Sequence, residues 1–293
     1  MDVQRIKKLL EAQEQAHVLR WWDELDEGGQ KKLSDQIDHI DWNLLPLAMQ
    51  HKQTARGKIE PIDGLDLEEI EKDRSQYLAV GKEAVRAGKV AAVLLAGGQG
   101  TRLGNDAPKG TFDIGITRHL SIFEQLICNL QEAVTQCGGI VPLYIMTSES
   151  NDAATRSFFE KNNYFGYPAE QIKFFRQEMA PAVNLDGKLL MSAKDSLALS
   201  PNGNGGWYSS LVRAGLAAEA ERRGVEWFNV FAVDNVLQRM ADPVFVGATV
   251  LSGRATGAKF VRKAYPEERV GVLCLEDGKP GVIEYYEIDE KMA

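Results

Sequence analysis

The stretch Val90–Gly110 reads VAAVLLAGGQGTRLGNDAPKG. Its opening VAAVLL is a short, continuous apolar run, the pattern of a parallel strand covered on both faces. The run ends in four glycines within eight residues, Gly97, Gly98, Gly100 and Gly104, with Arg102 among them and Pro108-Lys109 just beyond. So much bare backbone beside two cations at a strand's end suits a phosphate, a dinucleotide or merely a tight turn.

Three phosphate-binding patterns compete for this string. A Walker loop needs Lys and Ser/Thr directly after its final glycine, and that pair is missing. A dinucleotide fingerprint needs GxGxxG, whereas Gly98, Gly100 and Gly104 give GxGxxxG. Its ribose-binding acid, about 20 residues on, also has no counterpart. The third pattern is a nucleoside-triphosphate loop of the nucleotidyltransferase type. Here glycines let the backbone wrap the base and phosphates, Arg102 points at the outer phosphates, and Lys109, its approach fixed by Pro108, reaches the phosphorus under attack. In-line phosphoryl transfer spreads negative charge over equatorial oxygens, which preorganised N–H groups and cations stabilise. Against a plain glycine turn with solvated cations, the whole string favours this third pattern.

Working outward, strands and helices alternate. SIFEQLICNLQEAV carries Phe123, Leu126, Ile127, Leu130 and Val134 on one face, and Ser121 and Glu124 have capping-box spacing. VPLYIM is a further buried strand, a helix follows near 152–162, and IKFF is a short strand. YSSLVRAGLAAEAERRG reads as a helix and WFNVFAV as a strand. AKFVRK, VGVLCLE and GVIEYYEI read as strands of a more antiparallel region, punctuated by Asp277-Gly278. The order predicts an α/β fold with a sheet parallel at its centre and helices on both faces. Residues 1–88 read as almost wholly helical, including one helix over LEEIEKDRSQYLAVGKEAVRAGK that ends at Gly88. Trp21, Trp22 and Trp42 read as anchors of these helices. The expected organisation is a helical region over 1–88 and a catalytic domain over 89–293.

The chain has 293 residues and a formal net charge of −8, so no global basic field draws it to nucleic acid or an acidic membrane. Cys128, Cys137 and Cys274 form no CxxC pair and suggest a reduced, cytoplasmic protein. No apolar run approaches the roughly 20 residues that span a bilayer, and the N-terminus is too charged for a signal peptide. The four histidines show no ligand spacing. Oligomeric state is not legible.

LLAGGQGTRLG followed by PKG resembles the eukaryotic-type UDP-N-acetylhexosamine pyrophosphorylases, within the wider UDP-sugar pyrophosphorylase group. The likeness continues through YIMTS (144–148), FFRQEMAPA (174–182), SPNGNGGWY (200–208), VFAVDN (230–235) and VIEYYEI (282–288). It implies a Rossmann-like, GT-A-like fold with a mixed, mainly parallel sheet behind a small helical region. It implies that UTP and N-acetylglucosamine 1-phosphate give UDP-N-acetylglucosamine and pyrophosphate, with Mg²⁺ or Mn²⁺. UDP-glucose, UDP-galactose or broad UDP-sugar synthesis stays open, since Trp207 replaces a smaller aliphatic residue. A non-catalytic UTP- or UDP-sugar-binding module and, more remotely, a dinucleotide-binding oxidoreductase also stay open.

The resemblance places Leu95, Ala96, Gly97, Gly98, Gly100, Lys109, Gln177, Gly203 and Asp234 at the nucleotide, with Arg102 and Lys109 acting in catalysis. Asp234 falls at the C-terminal end of a strand, where a carboxylate holds Mg²⁺ or, more blandly, caps a helix, a role Asn235 could share. Gln177 would read the uracil edge, which one amide can match. Asn204, Glu284 and Tyr285 would meet the sugar. Family members continue well past EYYEI and supply a later Asn and Lys to the site, so the chain as given is expected to be weak or inactive.

Overall fold

The computed structural model describes residues 3–43, 45–46, 56–98 and 107–288. The chain folds as two compact units, residues 1–51 with 85–241 and residues 52–84 with 242–293. The helical residues before 89 are therefore shared between them.

The larger unit is organised by four parallel strands, β2 (Val90–Leu95), β3 (Leu143–Thr147), β4 (Ile172–Arg176) and β9 (Trp227–Ala232), in the order β4-β3-β2-β9. VAAVLL makes β2, whose first five residues are fully enclosed because both neighbours and both faces cover it. On one face Ala91, Val93, Tyr144, Met146 and Phe175 pack against Leu211 and Ala220 of helices α7 (Trp207–Arg213) and α8 (Leu216–Arg222). On the other, Phe159 of α6 (Asp152–Lys161) stacks between Phe123 of α5 (Ile122–Cys137), centroids 4.9 Å apart, and Phe174 of β4, 5.4 Å away.

Two of the expected helices are each broken in two. The second-unit helix expected through Gly88 is α3 (Leu67–Lys72) and α4 (Arg74–Arg86), because the Asp73 carbonyl starts a new turn by accepting from Gln76 and Tyr77. The YSSLVRAGL helix breaks at Gly215, which takes φ +73°, a left-handed conformation open to glycine. Only half of the Ser121–Glu124 capping box forms. Ser121 Oγ accepts from Glu124 N (3.1 Å), while the Glu124 carboxylate turns to Arg118 (3.2 Å).

Between β4 and α7 the chain makes an excursion through β5 (Met179–Pro181), β6 (Met191–Ala193), β7 (Ser196–Leu197) and β8 (Leu199–Pro201), with β5 antiparallel to β8. Helices α1 (Val3–Ala12) and α2 (Glu27–Asp38) dock on it. Ile6, Leu10, Val18, Trp22, Leu33 and Ile37 form one core with Leu189 and Leu197. Gln15, almost fully buried, bonds the Gly187 carbonyl and the Leu189 N–H at 2.9 Å each, as a strand neighbour would. Trp22 and Trp42 thus serve as anchors, and Trp21 lies under Arg20, whose guanidinium is 3.6 Å from its ring.

In the smaller unit, β1 (Ile59–Pro61), β10 (Val272–Glu276) and β11 (Lys279–Ile283) form an antiparallel sheet in the order β1-β10-β11. Helix α9 (Pro243–Leu251) is capped by Asp242 and packs on α4 through glycines. A Cβ at Gly81 would overlap the Pro243 carbonyl, and one at Gly247 the Tyr77 carbonyl. AKFVRK is not a strand. Its Val261 is 91% exposed, so no face alternates with a buried one, and Lys259 pairs with Asp242 instead (2.7 Å). GVIEYYEI leaves its strand at Ile283. Glu284–Glu287 closes a turn because Glu287 donates its N–H to the Glu284 carbonyl and its carboxylate is held by Arg56.

Candidate active site

The strand order reverses direction at β2. The chain steps from β2 outward to β3 and β4, then returns to the other side of β2 as β9. At such a switch point the loops beyond the carboxyl ends diverge and leave a crevice. Leu95–Gly98 leaves β2 there, and Val233-Asp234 leaves β9, tied by the Val233 N–H donating to the Leu95 carbonyl (3.1 Å).

Lys109 opens a tight turn, Lys109–Thr111, entered from Pro108. Its N–H points to the Gly98 carbonyl at 3.4 Å, and its Nζ lies 2.6 Å from Asp234 Oδ1. The lysine is three-quarters enclosed, whereas the aspartate is 61% exposed. Asp234 caps no helix. After β9 the next described helix is α9, whose cap is Asp242, so the structural alternative for Asp234 does not hold. Asn235 bonds Gln238 instead (3.0 Å).

Gln177 follows β4, is buried, and is fixed by its N–H to the Thr147 carbonyl at 2.8 Å. Its amide lies against the glycine loop, since a Cβ at Gly97 would come within 2.8 Å of Gln177 Nε2. The bare backbone at Gly97 leaves room for the amide, which would have to move aside for a Cβ there.

The next residue, Glu178, ties in the second glycine loop. Its carbonyl accepts from Asn202 N (2.9 Å), its N–H donates to Ser210 Oγ (3.0 Å), and its carboxylate accepts from Ser209 Oγ (2.9 Å). Ser210 Oγ in turn donates to the Gly206 carbonyl at 2.9 Å. Gly203 takes φ +76°, and Asn204 begins the exposed turn that enters α7. Gln177, just before β5, and Gly203-Asn204, just after β8, therefore stand at the same end of the antiparallel β5–β8 ribbon, where Met179 faces Pro201. Trp207 packs inward, its ring 5.8 Å from Phe228.

Below this edge, Asp152 is a buried carboxylate. Thr147 Oγ1 donates to it at 2.6 Å, Arg156 at 2.9 Å and Arg176 at 3.3 Å. Burial pushes its pKa up, but the Arg156 and Thr147 hydrogen bonds prevail and hold it below the usual carboxylate value.

Leu95, Ala96, Gly97, Gly98, Lys109, Gln177, Gly203, Asn204 and Asp234 thus share one end of the larger unit. Gly100 and Arg102 lie outside the described residues. Glu284 and Tyr285 belong to the smaller unit, exposed in the turn after β11, with the Tyr285 and Tyr286 rings edge to face at 5.3 Å. Sequence reasoning missed Asn151, Glu178 and Ser210. All three act through contacts with residues distant in sequence, and the place of Asn151 at a helix entrance signals only a cap, which its side chain does not make.

Asp234 offers a hard oxygen ligand in an open position beside a cation suited to phosphate. That donor set fits a Mg²⁺ or Mn²⁺ ion that keeps waters and shares substrate phosphates. Among the described residues no three His, Cys, Asp or Glu side chains converge to form a cage. No described helix is long and apolar enough to cross a membrane.

A parallel sheet whose glycine loop, lysine and carboxylate meet over its switch point places the chain in the Rossmann-like α/β class. Within it, the chain belongs to the UTP–glucose-1-phosphate uridylyltransferase family, whose model matches residues 33–293. It is 39% identical over 304 residues to UDP-N-acetylglucosamine diphosphorylase 1 of Arabidopsis thaliana, a match covering 95% of this chain and 59% of that protein. It is 37% identical over 300 residues to the UDP-N-acetylglucosamine pyrophosphorylase of Saccharomyces cerevisiae, covering 95% and 63%. The inhibitor-bound crystal structure of the Trypanosoma brucei uridine diphosphate N-acetylglucosamine pyrophosphorylase matches with a TM-score of 0.83 at 30% identity, covering 98% of this chain and 62% of that one. The chain spans about three-fifths of the length of these relatives.

Proposed function

We propose that this chain carries the nucleotide site of a uridylyltransferase that joins UTP and N-acetylglucosamine 1-phosphate into UDP-N-acetylglucosamine, releasing pyrophosphate. The observation that carries the reading is the Lys109–Asp234 pair, 2.6 Å apart over the switch point and joined to the glycine loop through Gly98. The names of the relatives support the sugar.

The sugar phosphate needs no general base, because a phosphate monoester with a second pKa of about 6 is already an oxyanion at neutral pH. One of its oxygens bonds to the α-phosphorus as the bond from that phosphorus to the bridging oxygen breaks. The electron pair leaves with pyrophosphate. Lys109 stands where its ammonium can stabilise the charge that develops on the α-phosphoryl oxygens. When a triphosphate enters, the ammonium exchanges its carboxylate partner for phosphate. Asp234 is then released to hold Mg²⁺ or Mn²⁺, which when bound would neutralise phosphate charge.

The remaining assignments follow the same reading. Leu95–Gly98 and Gly100 line the nucleotide, Gln177 reads the uracil edge and Gly203 approaches the nucleotide. Arg102 meets the departing phosphates. Asn204, Glu284 and Tyr285 take the sugar.

The test is pyrophosphate release with UTP, Mg²⁺ and a panel of N-acetylglucosamine, N-acetylgalactosamine, glucose and galactose 1-phosphates. Preference for N-acetylglucosamine 1-phosphate supports the reading. A glucose preference would redirect it to the sugar in the family's own description, and tight UTP binding without turnover would leave a binding module.

A further inference from the structure

We infer that Asn151 is a positioning residue whose buried amide holds Ala96–Gly98, the start of the glycine loop after β2, in the shape that receives the nucleotide. What the loop receives rests on the uridylyltransferase reading above, whereas the clamp stands on its own geometry. Asn151 Nδ2 donates to the carbonyls of Ala96 (2.9 Å) and Gly98 (3.2 Å). Its Oδ1 accepts from the Ser148 N–H at 2.8 Å, which fixes the amide's orientation. The side chain is 2% exposed. Although Asn151 precedes α6, its side chain makes no capping bond to that helix. Its two amide hydrogens go to the loop, and its oxygen goes to Ser148.

The loop needs such a clamp. Ala96-Gly97-Gly98 carries almost no side-chain atoms, and glycine loses more freedom on ordering than any other residue. The Ala96 N–H is held by the Met146 carbonyl at 2.8 Å, but the two carbonyls that follow are set by Asn151. In a planar trans peptide the N–H points opposite to its carbonyl. Turning the Ala96 carbonyl toward Asn151 therefore aims the Gly97 N–H the other way. The Gly98 carbonyl is also the one that Lys109 N faces at 3.4 Å, so a single acceptor couples the clamp to the lysine.

The chemistry demands an amide. Aspartate keeps the acceptor for Ser148 but sets a carboxylate against two carbonyl oxygens, and alanine leaves buried groups unpaired.

The experiment uses Asn151→Asp and Asn151→Ala, with Asn162→Ala as control. Asn162 Nδ2 bonds the Phe158 carbonyl (2.8 Å) at the far end of α6. Two quantities are read: amide exchange of the peptide covering 94–98 without nucleotide, and UTP–Mg²⁺ affinity by calorimetry. Both Asn151 variants should speed exchange in that peptide about tenfold and measurably weaken UTP, since affinity scales with the fraction of molecules that hold the competent loop. The peptide over 122–137 should be unchanged in both, and Asn162→Ala should alter neither reading. Wild-type exchange at 94–98 in Asn151→Asp overturns the inference, as does an equal effect from Asn162→Ala. If the unmodified protein binds no UTP, the uridylyltransferase reading fails, and the exchange comparison still decides the clamp.

Discussion

Lys109 Nζ and Asp234 Oδ1 lie 2.6 Å apart, although 125 positions of sequence separate the two residues. One comes from the loop after β2 and the other from the end of β9. The pair is thus made by the order of the sheet. It also keeps the cation and the anion ready for substrate without leaving either unpaired in a partly enclosed crevice.

Lys109→Ala should separate binding from turnover. We expect turnover to fall at least about a hundredfold, as when a preorganised donor to a developing oxyanion is removed. UTP affinity should change far less. Single-turnover assays and calorimetry on one preparation decide this, and equal losses in both would move Lys109 to ground-state binding.

Gln177→Ala should relax the choice of base. A buried amide facing a nucleobase edge discriminates mainly by leaving itself unpaired with the wrong one. The ratio of UTP to CTP affinity should fall by about ten- to a hundredfold, while unfolding temperature changes little. An unchanged ratio removes Gln177 from base reading.

Gly110→Ala is expected to act on stability. Gly110 is buried, and a Cβ there would overlap the ring of Phe123, itself fully enclosed between helices and sheet. Overpacking of this kind costs about 1–3 kcal/mol. A fall of that size in denaturant-unfolding free energy is the expected result. Gly138, with φ +69° and open space at its Cβ position, marks the end of α5 and makes a useful contrast in which backbone strain alone is tested.

The loop that follows the Lys109 turn should respond to pH. Asp113 accepts from the Leu120 N–H, from His119 and from the Gly115 N–H, which together hold its pKa at about 2. The Asp113 hydrogen bond raises the His119 pKa above 6.5. The histidine contribution is therefore complete below pH 6.5 and is lost as pH rises through the raised native value. The aspartate contribution is present above 3.8 and is lost as pH falls toward about 2. Thermal unfolding of wild type and His119→Asn should differ most near pH 5 and converge by about pH 9. A gap that widens with pH would contradict the pairing.

The sheet was legible because its central strands β2 and β3 are continuous apolar runs up to the closing Thr147, a pattern that burial on both faces imposes, and β4 and β9 are apolar but for Lys173, Arg176 and Asn229. The glycine loop was legible for the related reason that only bare backbone serves there. Helix continuity was not, since breaks at Asp73 and Gly215 leave the apolar spacing on either side undisturbed. AKFVRK misled because alternation signals a strand only where a second strand lies alongside. Asn151 shows the same limit within the site. Its role depends on two carbonyls more than 50 residues away in sequence, which no local pattern encodes.

The docking of α1 and α2 onto the excursion between β5 and β8 has a consequence during synthesis. Ile6, Leu10, Val18 and Trp22 leave the ribosome well before Leu189 and Leu197, the residues that complete their enclosure. At about 5–20 residues per second, some 10–40 s pass with that apolar surface still uncovered. These helices thus wait for the β5–β8 excursion before they are sealed, and chaperone capture of nascent chains should concentrate there.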